Sequence, residues 1–454
     1  MSKPMISVAG IRGTVGDSFV PEEFLKFTSA YVSTLSNRTI ALGADTRPSG
    51  DMVRHLVLAG CFATGCHVLD LGICPTPTLG FMVKKLGAGG GIAVTASHNP
   101  LDWNALKFYS PEGTLLTAAE MDAVLDRYRS GHFDYQSCRN LGAMEKVKEP
   151  IRPHIEKVLG AVDVARIRAA RFKVAVDLCN GAGITLLPEL LAELGCEVTT
   201  VFGDPDKAFE RVAEPLVENL GALVGAVRSS GAAIGFAVDP DADRLALADE
   251  TGRAIGEERT LVLAARSVLQ KRALTNPAPP SPLAANLSTT RAMDDVAAEF
   301  GTRVERTRIG EAYVVERILS CGSAIGGEGN GGVIYPVTHL GRDSATGIAL
   351  MLEALTVSGK TVSQLNSEVQ DYAMVKNKVG IEGKELHRIF VRLCVSFTGV
   401  TAFDDTDGLK ISFDHSWVHV RASGTEPILR VYAEAPTIAE AKGLADKAMR
   451  ITQM

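Results

Sequence analysis

Residues 174–198 read VAVDLCNGAGITLLPELLAELGCEV. An apolar run from Val174 gives way to a turn at Asn180 and Gly181. Leu187, Leu190, Leu191 and Leu194 then fall at helical spacing, and Gly195 leads into a second apolar run at Val198. The order is strand, loop, amphipathic helix, strand. Upstream, the chain from Ile40 passes Asp45 and Arg47, presents Val53, Leu56, Val57 and Phe62, and reaches Gly65 and Val68. Downstream, Leu283 leads through Ser288 and Thr289 to Met293, Val296 and Phe300, then to Gly301 and Val304. This alternation argues for parallel sheets covered by helices, and hence for three related α/β domains.

Each segment is followed by another short apolar strand that ends in a polar loop: Thr-Ala-Ser-His-Asn-Pro at 95–100, Asp-Pro-Asp-Ala-Asp-Arg at 239–244 and Gly-Glu-Gly-Asn-Gly-Gly at 327–332. Ligands of open α/β sheets bind beyond the carboxyl ends of the strands, so one cleft can collect all three loops. The last segment differs. Leu409, Ile411 and Phe413 alternate with polar residues, strands around Val418–Val420 and Leu429–Tyr432 flank another polar loop, and a helix from about Thr437 closes the chain. The run Pro277–Pro282 reads as a surface loop within the third domain. The fold class is α/β: three related domains with mixed sheets covered by helices, plus a smaller C-terminal α+β domain, around a central cleft. Boundaries are expected at 1–150, 151–255, 256–363 and 364–454.

With 454 residues, 46% of them apolar, the chain can bury several cores. A net charge of -6 provides no bulk attraction for nucleic acid or an anionic membrane, so phosphate binding has to come from local sites. The eight cysteines lie in apolar stretches with no C-x-x-C pair, and read as reduced core thiols rather than a zinc site. Residues 1–16 carry no charged-then-apolar leader, and no run of roughly 18 apolar residues occurs, so a cytoplasmic location is expected.

Ser97 follows the apolar stretch Gly91–Val94, and Pro100 disfavours helix at Asn99, which should hold the loop open and expose the hydroxyl. A plain polar turn is the bland alternative, and His98 reads as well as a packed histidine as a base. Asp239, Asp241 and Asp243 occupy alternate positions, so in an extended loop their carboxylates point the same way. Crowded carboxylates repel unless a cation joins them; hard oxygen ligands favour magnesium or calcium, and magnesium fits phosphoryl transfer. Arg244 stands alongside to compensate charge. Arg421, Ser423, Gly424 and Thr425 supply a guanidinium, two hydroxyls and a close backbone approach, the parts of a phosphate cradle, to which Arg430 could add a second guanidinium. Glu328 and Asn330 sit in a glycine-dense loop suited to sugar hydroxyls, and Arg12 lies in Gly10-Ile11-Arg12-Gly13.

Five loops in order, at 10–13, 95–100, 239–244, 327–332 and 421–427, resemble those of the α-D-phosphohexomutase family over nearly the whole chain. The resemblance implies four domains around a central cleft. It implies that Ser97 is a phosphoserine and that Ser97, Asp239, Asp241 and Asp243 hold Mg2+. Glu328 would contact the sugar, with Asn330 beside it, and Arg421, Ser423, Gly424, Thr425 and Arg430 would hold the distal phosphate. Arg12, Lys107 and Arg244 would lie near the reacting phosphate, with Lys107 a candidate general acid/base and His98 next to the serine. The implied enzyme is an isomerase that moves a phosphoryl group between the 1- and 6-oxygens of a hexose through a bisphosphorylated sugar. Its partners would be hexose phosphate and hexose 1,6-bisphosphate, not nucleic acid or membrane, and it would be a monomer or homodimer.

Departures from the family pattern bear on the substrate. The sugar loop reads Gly-Glu-Gly-Asn-Gly-Gly, where many bacterial members have Ser and His after the glutamate, and the turn at Phe209–Pro215 keeps Glu214-Pro215 but loses one proline. Glucosamine phosphate is favoured, because residues 102–107 and the asparagine-bearing loop look most like the subgroup assigned that role. Glucose or mannose phosphate is the close alternative. A phosphosugar-binding protein without turnover is the rival of another class, and a metal-dependent phosphatase is a third reading.

Overall fold

The computed structural model describes residues 3–275, 280–381, 385–423 and 428–453. The four-domain α/β architecture is built on four sheets. The first has seven strands in the order Met5–Ser7, Gly10–Thr14, Trp103–Tyr109, Gly90–Val94, Thr39–Ala44, His67–Ile73 and Met144–Lys146. The second runs Leu245–Ala248, Ile234–Val238, Lys173–Asp177, Glu197–Val201, and the third Val304–Thr307, Leu283–Asn286, Gly326–Glu328, Gly332–Ile334. The fourth is wholly antiparallel: Ala373–Gly380, Ile428–Ala435, Trp417–Ala422, Leu409–Ser412, Ala402–Asp404.

Parallel pairing holds within each strand–helix–strand segment, as between Lys173–Asp177 and Glu197–Val201. The sheets as a whole are mixed, because each segment's downstream strand is followed by an antiparallel partner: Trp103–Tyr109, Leu245–Ala248 and Gly332–Ile334. The connections, at residues 95–102, 239–244 and 329–331, are too short for the dozen or so residues a parallel crossover takes, so the chain has to return as a hairpin. The three polar loops therefore occupy the same topological place in three domains.

One apolar core runs through the first three domains, joining Leu79 and Val83 to Ile155, Val174 and Phe236, and these to Leu261, Val268 and Ile348. A second, with Phe19, Phe24, Phe27 and Phe108, fills the other side of the first sheet. The C-terminal sheet has its own core of Ile389, Leu393, Ile411, Val418, Val431 and Ala445. It meets the third domain through polar contacts: Lys410 Nζ donates to the Leu287 carbonyl at 2.6 Å, and the Arg291 N–H to Glu434 Oε2 at 2.8 Å.

All eight cysteines are free, but only Cys61, Cys66, Cys74 and Cys179 are buried, and Cys138 is exposed. The core-thiol reading is corrected to that extent, since residues 132–137 carry no regular structure to cover it. Pro277 and Pro279 lie outside the described residues, and Pro280 is exposed. Among the described residues no helix is long and apolar enough to cross a membrane.

Candidate active site

Thr95 Oγ1 donates to Asp45 Oδ2 at 2.6 Å and accepts the Ser97 N–H at 3.0 Å, a local bond that accompanies a left-handed Ser97 at φ 49°. Such backbone costs about 1–3 kcal/mol and persists only where its surroundings enforce it. Arg47 enforces it. Fully buried and paired with Asp45 at 3.1 Å, it donates to the carbonyls of Ser97, Asn99, Pro100 and Trp103, which ties the serine loop to the start of the strand Trp103–Tyr109. The Ser97 hydroxyl is not exposed, contrary to the sequence expectation. The second domain closes over it, and Ser97 Oγ donates to Asp239 Oδ2 at 2.7 Å. His98 Nδ1 lies 3.5 Å from the same oxygen; burial, with Arg244 and Arg12 nearby, holds its imidazole well below the usual range and therefore neutral. Arg12 Nη1 donates to Asn99 Oδ1 at 3.2 Å.

Asp239, Asp241 and Asp243 converge with ligand atoms within 4.8 Å of one another. The cause differs from the expected extended alternation. The loop is a tight turn with Ala242 at φ 55°, whose N–H donates to the Asp239 carbonyl, while Asp239 Oδ1 accepts the N–H groups of Asp243 and Arg244, both at 3.1 Å. Burial and its two neighbours raise Asp239 well above the carboxylate range. Burial also opposes the charge of Asp243, but Arg342, Lys107 and Arg244 outweigh it and hold that carboxyl low. Lys107 Nζ donates to Asp241 Oδ2 at 2.6 Å and Asp243 Oδ2 at 3.2 Å; against burial, these carboxylates raise it, so it stays an ammonium. Arg244 Nη1 donates to Glu214 Oε1 at 2.8 Å, so the turn at Phe209–Pro215 contributes a carboxylate beside the aspartates.

The residues fit a hard divalent cation. Asp241 Oδ1 and Asp243 Oδ1 are buried and accept no hydrogen bond among the described residues. When ionised, the five carboxylates of Asp239, Asp241, Asp243, Glu311 and Glu328 outnumber the three cations that face them, Lys107, Arg244 and Arg342, an excess that a bound cation would offset. Oxygen donors with that excess suit magnesium.

Glu328 ends the strand Gly326–Glu328. Its Oε1 accepts from Asn286 Nδ2 at 2.8 Å and the Gly310 N–H at 3.1 Å, and its Oε2 accepts from Arg342 Nη1 at 3.0 Å and Asn330 Nδ2 at 3.5 Å. The loop's glycines serve packing as well as access: a Cβ at Gly331 would stand 2.3 Å from the Leu245 carbonyl, against which the loop lies. Arg421 and Arg430 are register partners on adjacent antiparallel strands, so two like charges stand opposite one another. Burial, and Arg430 opposite, lower Arg421, although Asp407 and Glu328 lie near enough to favour its charge. Its Nε is buried with no acceptor among the described residues. The Ser423 N–H donates to the Ile428 carbonyl at 2.9 Å; Gly424 and Thr425 lie outside the described residues.

Sequence reasoning missed Arg47, Glu214 and Arg342 as members of the site. Asp45 and Arg47, two residues apart just after a strand, carried a signal; the lone Arg342 carried none.

A serine hydroxyl set against crowded carboxylates, with cations around it and a pair of opposed arginines on a further domain, defines a phosphoryl-transfer site. Phosphoglucomutase/phosphomannomutase models match the chain throughout: alpha/beta/alpha domain I at residues 5–134, domain II at 152–252, domain III at 257–372 and the C-terminal domain at 365–451. The chain belongs to the phosphoglucomutase/phosphomannomutase family and is an isomerase of the phosphohexomutase class, which removes the binding-only reading. A phosphoglucomutase/phosphomannomutase of Thermococcus kodakarensis is 36% identical over 98% of this chain and 97% of its own. A probable phosphoglucosamine mutase of Methanopyrus kandleri is 33% identical over the same shares. The crystal structure of a phosphoglucomutase/phosphomannomutase family protein from Burkholderia thailandensis has the same fold, with a TM-score of 0.84 at 24% identity over 99% of this chain and 98% of that one.

Proposed function

We propose that the protein interconverts hexose 6-phosphate and hexose 1-phosphate through a phosphorylated Ser97 and a bisphosphorylated sugar, with glucosamine phosphate as its favoured substrate. The observation that carries this reading is the 2.7 Å bond from Ser97 Oγ to Asp239, one of three carboxylates that converge beside it. Ser97, Asp239, Asp241 and Asp243 would hold magnesium, which when bound neutralises charge on the transferring phosphoryl group. Arg12 and Arg244 add cationic contacts to that group. The Ser97 hydroxyl already donates a hydrogen bond to Asp239 Oδ2, which fixes its oxygen beside the three aspartates. Lys107, kept as an ammonium, is the proton donor for the sugar oxygen, and the neutral His98 is the nearby acceptor.

Glu328 and Asn330 orient the sugar hydroxyls. Arg421, Ser423, Gly424, Thr425 and Arg430 hold whichever phosphate is not reacting, so this cradle takes either end of the sugar. The domains are placed at 1–150, 151–255, 256–363 and 364–454, the enzyme in the cytoplasm, as a monomer or homodimer. Glucose or mannose phosphate is the second reading, favoured by the name of the 36% identical relative.

Coupled assays with glucosamine, glucose and mannose phosphates, each with a trace of the bisphosphate, test the substrate; a higher kcat/KM for a neutral hexose replaces glucosamine. Intact-mass analysis should find a fraction heavier by one phosphate. Full activity in Ser97→Ala, or phosphate release without interconversion, would defeat the mechanism.

A further inference from the structure

Arg342 reaches three carboxylates, each from a different element. Its Nη2 donates to Asp243 Oδ2 at 2.6 Å in the metal loop, its Nη1 to Glu328 Oε2 at 3.0 Å in the sugar loop, and its Nε to Glu311 Oε2 at 2.9 Å at the start of the helix Glu311–Cys321. The side chain is only 10% exposed, and every one of its nitrogens is engaged.

Its path is as telling as its partners. Gly332 opens the strand Gly332–Ile334, and its φ is not in the left-handed region, so the backbone there does not call for glycine. The space does. A Cβ at position 332 would stand 2.2 Å from Arg342 Cδ and 2.8 Å from its Cγ. The absent side chain is the channel through which Arg342 crosses to the metal loop.

Asp243 Oδ2, the oxygen Arg342 holds, also accepts from Lys107 at 3.2 Å. A cation arriving among the three aspartates meets a guanidinium already drawing on one of them. At Glu328 the same guanidinium serves as an anchor, holding the carboxylate oxygen that Asn330 Nδ2 also approaches at 3.5 Å.

Resting on the metal and sugar loops assigned above, we propose that Gly332 and Arg342 are a matched pair: Arg342 is a positioning residue that sets Glu328 for the sugar while opposing divalent-cation binding at Asp243, and Gly332 is what admits it. The pair has a signature that general loosening of the fold would not produce. Arg342→Ala removes a competing cation and an anchor together, so magnesium should bind more tightly by roughly tenfold while sugar phosphate binds more weakly by roughly tenfold to a hundredfold. Arg342→Lys keeps the charge but lacks the fork needed to span three carboxylates, so magnesium affinity should stay near that of the wild type while sugar affinity still falls. Gly332→Ala, which pushes Arg342 aside, should weaken sugar binding in the wild type and add nothing in the Arg342→Ala background.

Titration calorimetry of the full-length protein with magnesium chloride alone, and separately with glucose, mannose and glucosamine 6-phosphates, reads both arms without turnover. Opposite shifts in the two affinities, with non-additive Gly332→Ala, sustain the pair. Weakening of both arms in Arg342→Ala, or additive effects in the double variant, overturns it. Should none of the three sugar phosphates bind the wild type, the substrate reading falls, and the pair stands or falls on whether magnesium binding tightens in Arg342→Ala.

Discussion

The two regions proposed to handle phosphate are built on opposite electrostatic plans. Around Ser97 the charges are already engaged with one another: Lys107 with Asp241 and Asp243, Arg244 with Glu214, Arg342 with three carboxylates, and Arg47 with the loop's own carbonyls. At the distal cradle Arg421 and Arg430 face each other across two strands, like charge against like, on a domain whose core is separate. The first region is preorganised for a transfer whose position cannot vary. The second sets two guanidiniums opposite one another, an arrangement that an anionic ligand would favour on the proposed function. A sugar that must present either of its phosphates to the serine needs one fixed end and one accommodating end.

The contrast can be broken first at the metal loop. Asp241→Ala should lower kcat by about a thousandfold or more while leaving the fold intact, since it also relieves like-charge crowding. Steady-state kinetics with magnesium titration checks this, and unchanged turnover with unchanged metal affinity would remove the triad from catalysis. Arg47→Ala should come next, at about 3–5 kcal/mol of stability, because it strands a buried Asp45 and several loop carbonyls. Urea unfolding of the variant measures it, and a loss under about 1 kcal/mol would mean that the serine loop holds itself.

Arg421→Ala should cost roughly tenfold to a hundredfold in kcat/KM, mostly through KM, with lysine rescuing only part. An equal loss in kcat alone would mean that the distal cradle is preorganised for the transfer in the same way as the proximal one. A pH-dependent effect lies at the joint between the third and fourth domains. There burial and Arg306 push Lys410 down to about 7, despite its bond to the Leu287 carbonyl. Between that value and the ordinary lysine range, the unfolded chain holds a proton that the fold has released. Stability therefore rises with pH from about 7 towards 10 and is lost as pH falls back, with a slope of at most about 1.4 kcal/mol per unit. Melting temperatures of wild type and Lys410→Met across that window should converge at the alkaline end, and parallel curves would refute the assignment.

The repeated strand–helix grammar was legible because apolar spacing at Leu187, Leu190, Leu191 and Leu194 is local information. So were the polar loops at 95–100, 239–244 and 327–332, each of which begins at or next to the end of a strand. The antiparallel returns were visible only as short apolar runs. The aspartates converge as expected but by winding around Ala242, since a left-handed alanine leaves no mark in sequence. Ser97 is buried because a second domain covers it. Arg342 is the clearest loss: its closest partner, Asp243, is 99 positions away, and the glycine that makes room for it looks like any other in a glycine-rich loop.

The separate C-terminal core makes that domain a unit that can open by itself while the three welded domains stay folded. On the proposed function, a phosphate held by Arg421 and Arg430 would add stability to that domain. A ligand at a hundred times its dissociation constant lowers the open population about a hundredfold. Substrate supply would then set how long this part of the chain survives a protease, so that the enzyme's lifetime follows its workload. Limited proteolysis with and without sugar bisphosphate should show cleavage between the third and fourth domains slowing as ligand is added, and equal rates would dissolve the link.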